Sequence, residues 1–537
     1  MSLFRQKHIT GTFAALLISS SFFACSSQKN LQSNAPKAIQ TEAGMQSWGH
    51  LDPKKDKVPG MSVNKAYSKV IKNKTGEQVI VAVLDSGVDL LHEDLSAVLW
   101  KNPGEIPGDG IDNDGNGYVD DVFGYNFLGE SYHEQLEVTR ILARGLGSAE
   151  LRQKAEKRYE KDLTEASQRV QEIGMMAQML QSADQMIKKT LGKDNYTQED
   201  LGNIKAGDEL SDMQLDFMRY VLALGENTDA LLKQLKEGVD YYTARMDYHL
   251  NKSFDGRSVV GDNPNDISDR NYGNGNPQNR VKDESHGTHV AGIIAADRTN
   301  QKGIKGVAHN VAIMSIRAVP DGDEYDKDIA LGIRYAVDNG AKIINASFGK
   351  PFSPNADWVY EAIAYAASKD VLIVHAAGND ALDLDDPDNS NFPNDHKGKN
   401  SPEFADNVLT VGALNPSLKS DMIASFSNYG KTNVDIFAPG NEIYSTMPEN
   451  EYDFQGGTSM AAPAVAGLAA LIRSYYPQLS AAEVKKIIMD AGYQPKGQVA
   501  LGEEDPKLYT LDQISRSGKI ANAHQAMKLA RKVARRK

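Results

Sequence analysis

Gly457-Thr458-Ser459-Met460-Ala461-Ala462-Pro463 leads into an apolar run, Ala464-Val465-Ala466-Gly467-Leu468-Ala469-Ala470-Leu471-Ile472. The run is almost wholly small or aliphatic, so it predicts a helix buried on most sides. Ser459 then stands at the helix N-terminus, where backbone N–H groups lack intrahelical partners and negative charge is favoured. Pro463 fits on the expectation that it lies where the first N–H groups need no acceptor. A serine so placed is either an ordinary N-cap or a nucleophile. The rest of the chain decides between them.

With 537 residues the chain is long enough for two or more domains and a large core. Its formal net charge of −13 argues against general nucleic-acid binding. The single cysteine, Cys25, rules out an intrachain disulfide. Arg5, Lys7 and His8 precede a short apolar stretch, Phe13 to Ala24, so residues 1–24 read as an export signal and not as a membrane span. The Phe22-Phe23-Ala24-Cys25 junction resembles a bacterial lipobox, with Phe22 where leucine is usual. Lipidation of Cys25 would anchor an exported protein to a membrane of the cell envelope. The alternative is a secreted protein cut nearby.

Residues 25–60 are polar with little apolar periodicity and read as a flexible tether. Val79-Ile80-Val81-Ala82-Val83-Leu84 predicts a buried parallel strand, and Asp85 falls at its carboxyl end, where open α/β sheets collect functional groups. As a lone residue Asp85 serves equally well as a capping aspartate. Next, Gly108 to Asp121 alternates Asp and Asn with glycine. Asp112, Asp114, Asn116 and Asp120 offer hard oxygen ligands suited to structural calcium. Phe123 stands where an EF-hand needs its bidentate glutamate, so the loop is either a looser calcium site or a solvated acidic turn.

Residues 131–253 read as a helical insertion. Proline is absent from Gly108 to Asn263, seven of the sixteen methionines fall here, and apolar residues recur at three- and four-residue spacing. Three to five amphipathic helices are expected, with Ser148 and Thr228 as N-caps, and the methionine stripe fits a bundle core better than a binding groove. His286-Gly287-Thr288-His289-Val290-Ala291-Gly292 then enters a second buried helix. His286 and His289 have no third ligand nearby in sequence, which weakens a metal reading. Strand-like runs at Val311–Val319, Ala341–Ala346, Val371–Val374, Val408–Val411 and Val434–Phe437 alternate with helical patterns near 326–338, 356–368 and 481–490. That alternation predicts an α/β fold, a parallel sheet with helices on both faces. The basic tail, 531–537 and the residues just before it, reads as a solvated helix end or a contact for acidic headgroups.

Nucleophilic catalysis needs an activated serine, a base, a group that orients the base, and donors for an oxyanion. Three segments carry a resemblance that supplies all of these. Val81-Ala82-Val83-Leu84-Asp85-Ser86-Gly87-Val88, His286-Gly287-Thr288-His289-Val290-Ala291-Gly292 and Gly457-Thr458-Ser459-Met460-Ala461-Ala462-Pro463 resemble, in that order, the signature motifs of the subtilisin-like serine proteases. Ala376-Ala377-Gly378-Asn379 resembles the oxyanion segment of that family, and Asn345-Ala346-Ser347-Phe348-Gly349 its substrate-binding strand.

The resemblance implies a subtilisin-like fold over 61–130 and 254–530, interrupted by the insertion. It implies endopeptidase action on protein or peptide substrates, with Ser459 as nucleophile, His286 as base and Asp85 orienting it. Asn379 would serve the oxyanion, and Ser347, Phe348, Gly349, Ala377 and Gly378 would bind substrate. Catalysis would need no cofactor. The 201 residues from Asp85 to His286 exceed the spacing of simple subtilisins, and the short leader leaves a conventional pro-domain in doubt. The competing class is an inactive binding or scaffold protein that keeps the fold; the presence of all three triad residues weighs against it.

Overall fold

The computed structural model describes residues 36–72, 74–204, 207–223, 227–398, 401–502 and 506–537. Cys25 and the export segment lie outside the described residues. The chain divides into two compact units, one of Pro36–Arg158 with Asn251–Lys537 and one that includes Tyr159–Leu250.

Seven strands form the sheet of the larger unit: β1 (Val79–Asp85), β2 (Gly124–Asn126), β3 (Val311–Arg317), β4 (Ile343–Ala346), β5 (Leu372–Ala376), β6 (Val408–Leu414) and β7 (Ile436–Pro439). Their order is β2-β3-β1-β4-β5-β6-β7, and every adjacent pair is parallel. Period-2 alternation divides β1 between two cores. Val81 and Val83 join the buried cluster that contains the helices His286–Ala295 and Thr458–Tyr475. Ala82 and Leu84 join the opposite cluster, with the helices Asp326–Asp338 and Ala356–Ser368. The result is three layers, helix on sheet on helix, as the alternating pattern requires. Gly332 allows one of these contacts, since a Cβ there would lie 2.7 Å from Leu84 Cδ1.

Bounds differ from the sequence reading in three places. Residues 25–60 read as a tether, yet Trp48 and Val58 are buried in the first core, and Trp48 Nε1 donates to the Glu442 carbonyl oxygen at 2.8 Å. A few well-placed apolar groups suffice to dock a polar segment. The insertion, read as 131–253, has a compact unit at Tyr159–Leu250, while residues 131–158 fall with the larger unit. Asn227, not Thr228, caps the helix Thr228–Ala244, accepting from Asp229 N and Ala230 N.

The smaller unit takes residues from the helix Ala149–Leu191 and holds the helices Gln198–Leu201, Glu209–Ala223 and Thr228–Ala244. Leu180, Ala183, Ile187, Leu201, Leu215, Met218, Val221 and Leu231 form its own core. Met218 packs in this core and Met186 against it, whereas Met175 and Met213 are exposed, so the methionine stripe is core only in part. Among the described residues no helix is long and apolar enough to cross a membrane.

Candidate active site

The sequence-predicted residues gather at the carboxyl ends of β1, β4 and β5. Asp85 is the last residue of β1 and is 1% exposed. Its Oδ1 accepts from the Ser86 N–H at 2.8 Å and lies 2.7 Å from His286 Nδ1. Its Oδ2 is buried without a hydrogen-bond partner among the described residues. His286 begins the helix His286–Ala295, and its side chain remains 37% exposed. Burial disfavours the imidazolium, but the Asp85 charge and hydrogen bond outweigh burial and hold the His286 pKa above its ordinary 6.5. His289, one turn on, is fully buried, and its pKa is pushed down to about 3 by that burial. It stays neutral, with Nε2 3.2 Å from the Asp453 carbonyl oxygen, and acts as a packed histidine.

Ser459 is the second residue of the helix Thr458–Tyr475, so its N–H lacks an intrahelical acceptor. Register ties it to Asp85. Leu84 pairs with Ala346, so Asp85 and Ser347 are the next residues on adjacent strands. Ser347 Oγ donates to the Ser459 carbonyl oxygen at 2.8 Å, and Ser459 Oγ donates to the Ser347 carbonyl oxygen at 3.0 Å. The Ser459 hydroxyl proton thus rests on the Ser347 carbonyl and must turn from it before His286 can take it.

Pro463 is the sixth helical residue, not one of the first turn. Its missing N–H would have bonded the Ser459 carbonyl, four residues back. That carbonyl instead accepts from Ser347. The proline therefore frees an acceptor that fastens the serine to β4.

Asn379 follows β5. Its Oδ1 accepts from Thr458 N at 2.8 Å and Thr458 Oγ1 at 2.9 Å, which fixes the amide orientation. Gly378 N donates to Thr458 Oγ1 at 3.0 Å, and Gly378 has φ +101°, a region open to glycine. An added Cβ on Gly457 would lie 3.4 Å from Asn379 Nδ2 and 3.6 Å from Ser459 N. Two N–H donors thus border one space that glycine leaves open. Thr458 was within the motif read from sequence but had no role assigned; a hydroxyl directly before the nucleophile was the available signal.

Ser347, Phe348 and Gly349 follow β4, and Ala377 and Gly378 follow its parallel neighbour β5, with Ser347 bonded to Ser459 and Gly378 to Thr458. Asn391 lies between them. Its Nδ2 donates to the carbonyls of Ala376 at 3.1 Å and Ala377 at 3.0 Å, and a Cβ on Gly349 would lie 2.3 Å from its Oδ1.

In the acidic loop, ligand atoms of Glu105, Asp112 and Asp114 lie within 4.8 Å of one another. Glu105 escaped the sequence reading because it lies outside the alternating Asp/Asn pattern, seven residues before Asp112. Asp112 Oδ1 accepts from Gly115 N and Asn116 N, and Asp112 Oδ2 from Gly117 N. Asn116 Nδ2 donates to Asp114 Oδ2, and Asp120 caps the 108–110 turn by accepting from Gly108 N and Gly110 N.

The family model described as "Subtilase family" matches residues 76–508. A Thermophilic serine proteinase of Bacillus sp. (strain AK1) is 40% identical over 238 residues, 44% of this chain and 50% of the relative. Subtilisin DY of Bacillus licheniformis is 39% identical over 201 residues, 37% of this chain and 67% of the relative. The Cell wall-associated protease of Bacillus subtilis (strain 168) is 32% identical over 280 residues, 52% of this chain and 27% of the relative. The chain thus spans half the length of the first of these relatives and about a quarter of the third.

Proposed function

This chain belongs to the subtilase family, and on that premise we propose that it is a serine endopeptidase working through Asp85, His286 and Ser459. The observation that carries the reading is the 2.7 Å contact between His286 Nδ1 and Asp85 Oδ1, one strand from the serine fastened to Ser347. In neutral His286 the Nδ1 proton faces the carboxylate, which leaves Nε2 with a lone pair to act as base.

Ser459 Oγ attacks the scissile carbonyl while His286 Nε2 takes its proton. Asp85 holds the tautomer and stabilises the imidazolium that forms. The oxyanion sits between Ser459 N–H and Asn379 Nδ2, where fixed donors act on charge present only in the transition state. The imidazolium then protonates the leaving amine, and water hydrolyses the acyl-enzyme by the same steps. The substrate backbone pairs with Ser347–Gly349, a form of strand addition, and Ala377–Gly378 forms the facing wall. A fluorophosphonate probe tests the reading: it should label the wild type and not Ser459→Ala. A wild type that resists the probe would refute it.

Three finer points belong to the same reading. Glu105, Asp112 and Asp114 would hold a structural calcium ion, since an all-oxygen carboxylate group suits a hard cation. Tyr159–Leu250 would be an inserted module without a catalytic group, supported by its separate core. Cys25 would carry lipid after removal of 1–24, on the sequence pattern alone. Cys25→Ser should then move the protein from the membrane fraction to soluble extract, and unchanged fractionation would contradict the anchor.

A further inference from the structure

The substrate strand Ser347–Gly349 ends on Lys350, whose side chain is 2% exposed. A lysine rarely buries its ammonium; it usually extends the charge to water. Here Nζ donates to Glu137 Oε2 at 2.5 Å and to the Glu324 carbonyl at 2.7 Å, and it lies 2.8 Å from Asp326 Oδ1. Three donors meet three acceptors. Glu137 shares its carboxylate with Arg140 at 2.7 Å, and Arg140 is itself 1% exposed. The Arg140 guanidinium also donates to the carbonyls of Gln135, Asp323 and Glu324. Asp326 accepts in turn from Ser353 Oγ and Asn355 N. One buried group of two cations and two carboxylates therefore fastens three stretches of chain together: 135–140, 323–326 and 350–355.

The remaining residues of the strand are also held. Ser347 Oγ binds the Ser459 carbonyl, His375 Nε2 lies 2.8 Å from the Phe348 carbonyl oxygen, and Lys350 exchanges backbone bonds with Phe392 at 3.1 and 2.9 Å. Burial pushes the Glu137 carboxyl up, but Arg140 and Lys350 overcome it and bring the pKa down to about 2. Glu137 therefore stays ionised at neutral pH, whereas burial pushes the adjoining Glu324 carboxyl up to about 8. Apolar residues would fill such a core position at less desolvation cost, so what the ions add is fixed geometry.

We propose that the buried Lys350–Glu137–Arg140 cluster is a positioning device that sets where Ser347–Gly349 lies for pairing with an extended peptide. It links that position to the helix Glu137–Arg144, which leads in sequence toward the helical unit. Neither Lys350 nor Glu137 touches substrate; both act through the strand. The proposal rests on the reading of Ser347–Gly349 as the substrate strand.

The test uses the full chain as wild type, Glu137→Gln and Lys350→Met. Values of kcat and KM are measured on peptide anilides with one to four residues before the scissile bond, beside Tm and the rate of fluorophosphonate labelling. In the wild type kcat/KM should rise with peptide length. In the variants that gain should shrink by about tenfold, mostly through KM, which is the scale of one or two backbone hydrogen bonds. Labelling of Ser459 by the small probe should fall far less than hydrolysis of the longest peptide. Should Lys350→Met fail to fold, Glu137→Gln alone carries the comparison, since it keeps the side-chain shape and two of the three Lys350 acceptors. A lower Tm with the length dependence unchanged would show a stabilising cluster only and overturn the proposal. A wild type that neither labels nor hydrolyses would overturn this proposal and the protease reading together, whereas a labelled wild type with no length dependence would overturn this one alone.

Discussion

Replacement of Asn379 separates transition-state chemistry from the fold more sharply than any other change at the site. Its Oδ1 takes two hydrogen bonds from Thr458, at 2.8 and 2.9 Å, and these leave Nδ2 bordering the space beside Gly457. Asn379→Leu removes a donor that acts on the oxyanion, at a cost of about 10²- to 10³-fold in kcat, roughly 2.7–4 kcal/mol. That scale is the one known for a subtilisin, a member of the same family; it is carried over and not worked from these distances. KM should change little, because the ground-state carbonyl gains less from the donor than the oxyanion does. The same change orphans Thr458 N–H and Oγ1, which should lower stability by about 1–3 kcal/mol. Asn379→Asp keeps both acceptor bonds and should melt near the wild type, yet it sets an anion beside the developing charge, so its kcat should fall at least as far. Steady-state kinetics on a peptide anilide and calorimetry on the three proteins read both effects. If Asn379→Leu kept kcat within about threefold of the wild type, or lost activity through KM alone, the oxyanion assignment would be refuted.

Three other outcomes are expected. Because Asp85 holds the His286 pKa above 6.5 and only neutral imidazole accepts a proton, activity should fall on the acid side with a midpoint above 6.5; a midpoint well below it would contradict the pairing. The same raised pKa stabilises the fold below pH 6.5, a contribution lost as pH rises through the shifted value. Chelation of divalent cations should lower the Tm of the wild type but not of Glu105→Gln/Asp112→Asn, and should leave turnover of the folded enzyme nearly unchanged; an unmoved wild-type Tm would reduce the loop to an acidic turn. Replacing 159–250 by a Gly/Ser linker should leave small-peptide hydrolysis within a few fold and change the choice among folded protein substrates, while an identical protein-cleavage profile would reject a role in access.

Features written in local sequence were legible from it. Two motifs named Asp85 and His286, which meet at 2.7 Å, and the helices Asp326–Asp338, Ala356–Ser368 and Ala481–Asp490 fell where apolar periodicity put them. Features that depend on distant partners were not. Glu137 and Arg140 look like solvated helix charges until Lys350, over two hundred residues on, makes them a core. Residues 131–158 read as part of the insertion because the proline-free stretch and its helical apolar spacing run through them. The edge strand β2 has three residues, too few to show a period, and is defined by its pairing with β3. Trp48 and Val58 stand in a stretch without periodicity, and only the finished surface of the first core reveals their site. Pro463 was read as lying in the first turn, where a missing N–H needs no explanation; its function becomes clear once Ser347 Oγ is found on the freed carbonyl.

The most direct test of the account is the turnover of Ser459→Ala on a peptide anilide, measured with protein whose Tm and circular dichroism match the wild type. Loss of the nucleophile should lower kcat by on the order of 10⁶-fold, a scale again taken from a subtilisin, and should leave the residual rate indifferent to further replacement of His286. A Ser459→Ala protein that turns over at a near-wild-type rate would contradict the assignment of Ser459, His286 and Asp85 as the catalytic group.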